Sequence, residues 1–217
     1  MVSALKRAHP KAGRIATTLA AISLLLAGGF VFGHGVYLTA KAEIAQVLLA
    51  KAWTRAQDGE TAPTPWPWAD TWPVARLSVP SLGERAIVLA EGGGEALAFG
   101  PAHLAVSPAP GDAGTSIIAA HRDTHFAFLR DVEPGDEVIV ERADGERVAF
   151  RITHTQVVHA ERSGIQPAGG PARLALVTCW PFGSLTPGPL RYVVWAEKIV
   201  TDHPDAGFEL ALNASTG

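Results

Sequence analysis

The chain has 217 residues, 47% of them hydrophobic and 18% charged, and a formal net charge of −3. That balance suits one well-cored domain with additional segments and excludes a disordered chain. With no positive excess and no Lys/Arg block in the body of the chain, nucleic-acid binding is excluded as well.

Residues 1–14 form a basic N-terminus carrying Lys6, Arg7, Lys11 and Arg14. The 26 residues from Ile15 to Ala40 contain no Lys, Arg, Asp or Glu. As a helix they are long enough to cross a hydrocarbon core of about 30 Å. Positive charge ahead of the span, with less behind it, places the N-terminus in the cytoplasm and the rest of the chain outside. A cleaved signal peptide with Ile15–Phe32 as its apolar region is the competing reading. No small-x-small site followed by a polar start is evident, and apolar character continues through Val36, Tyr37 and Leu38. An uncleaved signal anchor over residues 15–40 is therefore preferred.

Residues 41–73 divide in two. Lys41–Arg55 sets Glu43, Lys51 and Arg55 among Ile44, Val47, Leu48 and Leu49, a pattern that predicts a continuing amphipathic helix. Between Gln57 and Pro73 four prolines forbid helix and favour an extended spacer. Its three tryptophans, Trp66, Trp68 and Trp72, are expected to pack on the start of the folded domain and not to lie at a membrane interface.

From Val74 the pattern changes to short β runs separated by turn residues. Ala75–Val79 alternates and stops at Pro80, and Ala86–Leu89 runs into the loop that holds Gly92, Gly93 and Gly94. Thr115–His121 is an apolar strand ending in a polar residue, and Phe126–Val132 reads as a short helical turn. Pro134-Gly135-Asp136 turns the chain into Glu137–Glu141, and Asp144-Gly145 marks a hairpin leading into Arg147–Val158. Arg173–Cys179 and Leu190–Val200 complete the set. Roughly eight strands at this spacing, with few helices, predict an all-β, closed eight-stranded barrel over residues 74–200, preceded by the transmembrane helix. Residues 201–217 read as a polar, loosely attached tail.

Cys179 is the only cysteine. A lone thiol commonly fills a core as a small hydrophobe. In an exported chain, however, an unpaired cysteine points to a reactive thiol or an intermolecular partner. Here the thiol closes a strand just where Trp180-Pro181-Phe182-Gly183 starts a loop. His121 closes another strand, and Arg191 opens the strand after the Pro/Gly-rich loop 181–189, which lets the chain double back. The three residue types make a coherent chemistry. The thiolate is the nucleophile, and a neighbouring cation lowers a thiol's pKa. A protonated histidine can hand a proton to a leaving amine. A guanidinium can hold the substrate backbone and stabilise an oxyanion.

Leu176-Val177-Thr178-Cys179 resembles the core of the Thr-Leu-x-Thr-Cys signature of sortases, cysteine transpeptidases of bacterial surfaces. Ala120-His121-Arg122 sits where that family has its active-site histidine, and Pro189-Leu190-Arg191-Tyr192 resembles its arginine strand. The similarity covers about Val74 to Ile199. The run His121–Leu129, together with Cys179-Trp180-Pro181-Phe182, resembles a subgroup from Gram-negative proteobacteria. Ala175 and Ala120 depart from the family's Thr and Gly, which leaves the sorting motif open.

The resemblance implies a sortase-type barrel in which Cys179 attacks the Thr–Gly bond of an LPxTG-like signal. His121 would act as general acid/base, and Arg191 would position substrate and stabilise the oxyanion. Thr178 is either a pocket-lining, substrate-binding residue or a strand residue hydrogen-bonded locally. The implied partners are a surface protein with a C-terminal sorting motif, an amine acceptor in the cell envelope, and the bacterial inner membrane crossed once, with a periplasmic catalytic domain. No cofactor is expected. His121, His125, His154, His159 and Cys179 do not make a zinc motif, because His121-Arg122-Asp123-Thr124-His125 lacks the glutamate of the metalloprotease helix. Asp123 could orient a histidine, with a solvated surface position as the default reading. Two alternatives stay open: a thiol peptidase that hydrolyses the same signal, and a non-catalytic surface-binding barrel.

Overall fold

The computed structural model describes residues 10–90, 96–184, 186 and 188–199. The first nine residues of the basic N-terminus, the glycine run 92–94 and the tail from residue 201 lie outside the described residues. The chain divides into two units, residues 1–47 and 48–217.

Helix α1 spans Pro10–Gln57, so the span and the amphipathic segment expected after it are one continuous helix. Its stretch from Thr17 has a mean hydropathy of 1.9 in its most apolar window and is long and apolar enough to cross a membrane. Leu24, Leu25, Phe30 and Phe32 are each 74% exposed, an apolar surface that water alone would not favour.

Within the second unit, the last turns of α1 bury Leu49, Ala52, Trp53 and Ala56, the spacing of one helical face. Leu49 packs with Leu89 and Ala96, and the Arg76 guanidinium carbon lies 5.3 Å from the Trp53 ring centre. Of the apolar residues expected in this stripe, Leu49 is buried, whereas Ile44 and Val47 are exposed.

Residues 58–72 carry neither helix nor strand, and Pro63, Pro65 and Pro67 keep helix out. Trp66 packs edge-on against Phe99 with ring centres 4.8 Å apart, and Trp72 is half-buried. Trp68 departs from the expectation. It is 82% exposed.

Eight strands follow: β1 (Pro73–Val79), β2 (Glu84–Ala90), β3 (Ala102–His103), β4 (Thr115–Ala119), β5 (Glu137–Arg142), β6 (Arg147–His159), β7 (Arg173–Cys179) and β8 (Leu190–Lys198), with a short helix α2 (Ala96–Phe99) between β2 and β3. They close in the order β1-β2-β3-β4-β7-β8-β6-β5. The pairs β2–β3 and β4–β7 are parallel. β3 has only two residues and no sequence pattern of its own; it exists because β2 and β4 supply its hydrogen-bond partners. The helical turn expected at Phe126–Val132 is a 3₁₀ turn over Ala127–Arg130.

Alternation along the strands makes the core. Leu77, Ile118, Val138, Phe150, Leu174, Leu176 and Val194 meet inside the barrel in one continuous cluster. Gly114 sets where β4 begins beside β7. Its φ is +108°, and a Cβ there would come within 2.4 Å of the Pro167 carbonyl oxygen, so only glycine fits. Its carbonyl accepts from Arg173 N at 2.8 Å, which fixes the parallel register that carries through to Ala119 beside Val177.

Candidate active site

The pleat assigns each residue of β7 to a side. Leu174 and Leu176 join the barrel core, while Ala175 and Val177 belong to a separate cluster on the outer face with Ile117, Val158 and Val193. Leu104 and Ile165 pack on that cluster from the flanking connections. Cys179 continues the outer series, half-buried, at the end of this apolar strip.

Arg191 is the cross-strand partner of Cys179 in the antiparallel β7–β8 ladder. Directly opposed residues point to the same face, with Cβ atoms about 4.5–5.5 Å apart. Arg191 therefore stands beside the thiol although 12 residues separate the two in sequence. Its Nη1 donates to the carbonyls of Gly188 and Leu190, both at 2.9 Å. A guanidinium has five N–H donors, so among the described residues Nε and Nη2 remain for other acceptors.

His121 reaches the same place from the other side. The ladder between β4 and β7 continues past the end of β4: Ala120 N donates to Val177 O at 3.1 Å, and Thr178 Oγ1 donates to Ala120 O at 2.7 Å. Because the strands are parallel, His121 follows Ala120 as Cys179 follows Thr178. The strand itself ends at Ala119, two residues earlier than the sequence suggested, and His121 is exposed beyond it. The register thus brings together Cys179, Arg191 and His121, with the thiol's strand in the middle.

Thr178 is placed differently. It is 2% exposed and on the inward face of β7, and its hydroxyl stitches the His121 segment to the cysteine strand. The observed partner of this side chain is local, the Ala120 carbonyl.

The histidines disperse. His154 stacks on Trp195 with ring centres 6.1 Å apart, and His159 closes β6. His125 is half-buried, its Nε2 3.5 Å from the Ala98 carbonyl. Burial lowers its pKa; the Ala98 carbonyl works against this, and the charge on His121 adds to the lowering. Among the described residues no three His, Cys, Asp or Glu side chains gather as a metal site requires.

Beyond Cys179 the chain is held by aromatic packing. Trp180 stacks on Tyr192 at 5.5 Å, and Phe182 meets both rings edge-on at 5.7 and 5.3 Å. The Trp180–Pro181 peptide is cis. Trp180 N donates to Leu190 O at 3.1 Å and closes the neck of the β7–β8 loop.

Arg122 had no role in the sequence reading. It is 8% exposed, its Nε donates to Asp123 Oδ2 at 3.0 Å, and its Nη2 donates to the Ser184 carbonyl. Asp123 accepts the Nε bond at the surface, its side chain 55% exposed. The only sequence signal was an arginine abutting a candidate histidine, and its partner lies 62 residues away.

The sortase domain model matches residues 77–199. Sortase D of Bacillus subtilis (strain 168) is 25% identical over 124 residues, 57% of this chain and 62% of that protein. The chain therefore spans less than two thirds of that relative's length. Sortase A from Corynebacterium diphtheriae superposes with a TM-score of 0.56 at 24% identity, over 64% of this chain and 66% of that one. Clostridium perfringens sortase C with the C-terminal cell wall sorting motif superposes with a TM-score of 0.54 at 16% identity, over 74% and 90% of the two chains. At such identities the structures speak for the fold alone. The matched residues run from within β1 through the end of β8 and take in more than half of the sequence, so the chain belongs to the sortase family.

Proposed function

We propose that this protein is a membrane-anchored cysteine transpeptidase that cuts an LPxTG-like sorting signal and transfers the protein bearing it to an amine. The observation that carries the reading is the placement of Arg191 across the ladder from Cys179, with His121 following β4 on the opposite side of the same strand. A nucleophile, a proton carrier and an oxyanion donor then flank one point at the end of an apolar strip.

In this reading the Cys179 thiolate attacks the carbonyl carbon of the scissile peptide bond. Nε and Nη2 of Arg191 take the negative charge that develops on the carbonyl oxygen. As the C–N bond breaks, His121 gives its proton to the departing amine, and a thioester to Sγ remains. An incoming primary amine attacks that thioester, His121 takes its proton, and the thiolate leaves as it began. Val177 and Ile165, the partly exposed members of the strip, offer an apolar floor for the signal's hydrophobic residues.

Helix α1 supports a single-pass anchor with the N-terminus inside and the catalytic barrel outside the bacterial inner membrane. Residues 74–200 are the catalytic domain, residues 41–73 the connector, and residues 201–217 a C-terminal tail. The His121–Leu129 and Cys179–Phe182 runs support a place among the proteobacterial members. The partners are a surface protein with a C-terminal sorting motif and an amine in the cell envelope.

The test is intact mass spectrometry of the full-length, freshly reduced protein in detergent with LPxTG-type peptides. A Cys179 adduct that passes to an added amine is the expected result. An adduct lost only to water makes the protein a hydrolase. No adduct from folded, reduced protein across a varied peptide library overturns the reading in favour of a binding module.

A further inference from the structure

Arg122 sits where an arginine is expensive. Burying a guanidinium costs free energy unless its donors are matched, and Nη1 of Arg122 is buried with no partner among the described residues. The ion pair does not account for the position, because the Asp123 side chain is 55% exposed and such pairs contribute little. What remains is the bond from Nη2 to the backbone of Ser184.

Ser184 lies in the loop that leaves Cys179 and returns at Arg191. Trp180 N and Leu190 O close the loop's neck. Its returning arm is held by Arg191 through the Gly188 carbonyl at 2.9 Å. Its outgoing arm is held by Arg122 through Ser184. Each arm is thus gripped by a cation: Arg191, which faces the thiol, and the residue that follows His121 in the chain. A third hold lies below, where Phe182 packs on Trp180, Tyr192 and, at 5.4 Å, the Arg130 guanidinium.

We propose that Arg122 is a positioning residue: it clamps the loop between Cys179 and Arg191 to the histidine segment, so that the wall of the substrate site and the proton carrier keep one geometry. The inference rests on the Cys179–His121–Arg191 reading for its consequence in catalysis, but not for the clamp itself. A neutral side chain at 122 would leave the core intact and free the outgoing arm. Lysine would restore part of the hold, since one ammonium can reach a carbonyl yet cannot fork to Asp123 and Ser184 together.

The experiment compares the full-length protein with Arg122→Ala and Arg122→Lys, in detergent, by two measurements. The first is backbone hydrogen exchange. Peptides covering 180–191 are expected to exchange about tenfold or more faster in Arg122→Ala, with those covering Leu174–Val177 unchanged. The second is thioester formation with an LPxTG-type peptide. KM is expected to rise about tenfold or more, with kcat changed less, because a loose wall weakens substrate capture first. Arg122→Lys, and Arg122→Ala supplied with millimolar methylguanidinium, are expected to recover part of both. Unchanged exchange over 180–191 overturns the clamp. Faster exchange with KM unchanged, or a loss in kcat alone, overturns its role in the site. If Arg122→Ala does not fold, Arg122→Lys carries the same two readouts. A wild type that forms no thioester refutes the transpeptidase reading while the exchange measurement still decides the clamp.

Discussion

Arg191 and Val194 stand three residues apart on β8 and answer to different physics. Val194 faces inward, is fully buried, and opposes Leu176 across the ladder. Arg191 faces outward, half-buried, beside the thiol. The inner side is a matter of volume and apolar area, where any close-packed hydrophobe of the right size serves. At Arg191, beyond the end of the buried outer cluster, it is a matter of which donors point where. The period of two along a strand lets nine residues carry both tasks without conflict. A one-residue slip of β8 would turn Arg191 inward and destroy the core and the site together.

If the two faces are independent, substitutions should separate their effects. Arg191→Ala is expected to slow thioester formation about 10²–10³-fold, on the order of 2.7–4 kcal/mol of activation free energy, as for loss of an oxyanion donor. Its denaturation midpoint should stay close to that of the wild type. Arg191→Lys should recover little, because an ammonium cannot reproduce the planar fork. Single-turnover mass spectrometry with parallel urea denaturation checks both. The comparison breaks if Arg191→Ala unfolds the barrel. Val194→Ala should do the reverse. It removes two buried methyl groups and is expected to cost about 2 kcal/mol of stability from lost burial and the cavity left behind. Turnover per folded molecule should be unchanged at low denaturant. A large fall in turnover would mean that the inner face tunes the outer one.

Much of this was legible in the sequence because alternation is local. Seven strands announced themselves by apolar runs, turn residues or the Asp144-Gly145 hairpin, and Cys179 and Arg191 could be paired from a Pro/Gly loop between two runs. β3 could not be found, because two residues have no period and its existence depends on β2 and β4. The partner of the Thr178 hydroxyl, Ala120 O, lies on the neighbouring segment and has no local signature. Trp68 misled because a tryptophan next to a fold boundary does not carry the shape of the ledge it needs. Arg122 was passed over since the contact that gives it meaning joins segments 62 residues apart. What a residue does on its own strand or across one short loop could be read, and what it does with segments far away in sequence could not.

The smallest effect sharpens the comparison at the rim, where two histidines four residues apart differ in exposure. His121 is exposed and His125 half-buried. Burial holds the His125 pKa below its ordinary value of 6.5, with the charge of His121 adding to the shift and the Ala98 carbonyl opposing it. The unfolded chain therefore binds a proton at His125 at a higher pH than the native protein does. Stability is then expected to rise with pH between the lowered native value and about 6.5. Well above pH 6.5 neither state binds a proton at His125 and its titration costs nothing; the cost appears as pH falls through 6.5 and is complete below the native value. His125→Asn should flatten this acid-side slope without altering stability measured well above pH 6.5. Urea midpoints of the two proteins across that range decide it. Equal slopes would show that burial does not shift His125, and that the rim belongs to the solvent and not to either face.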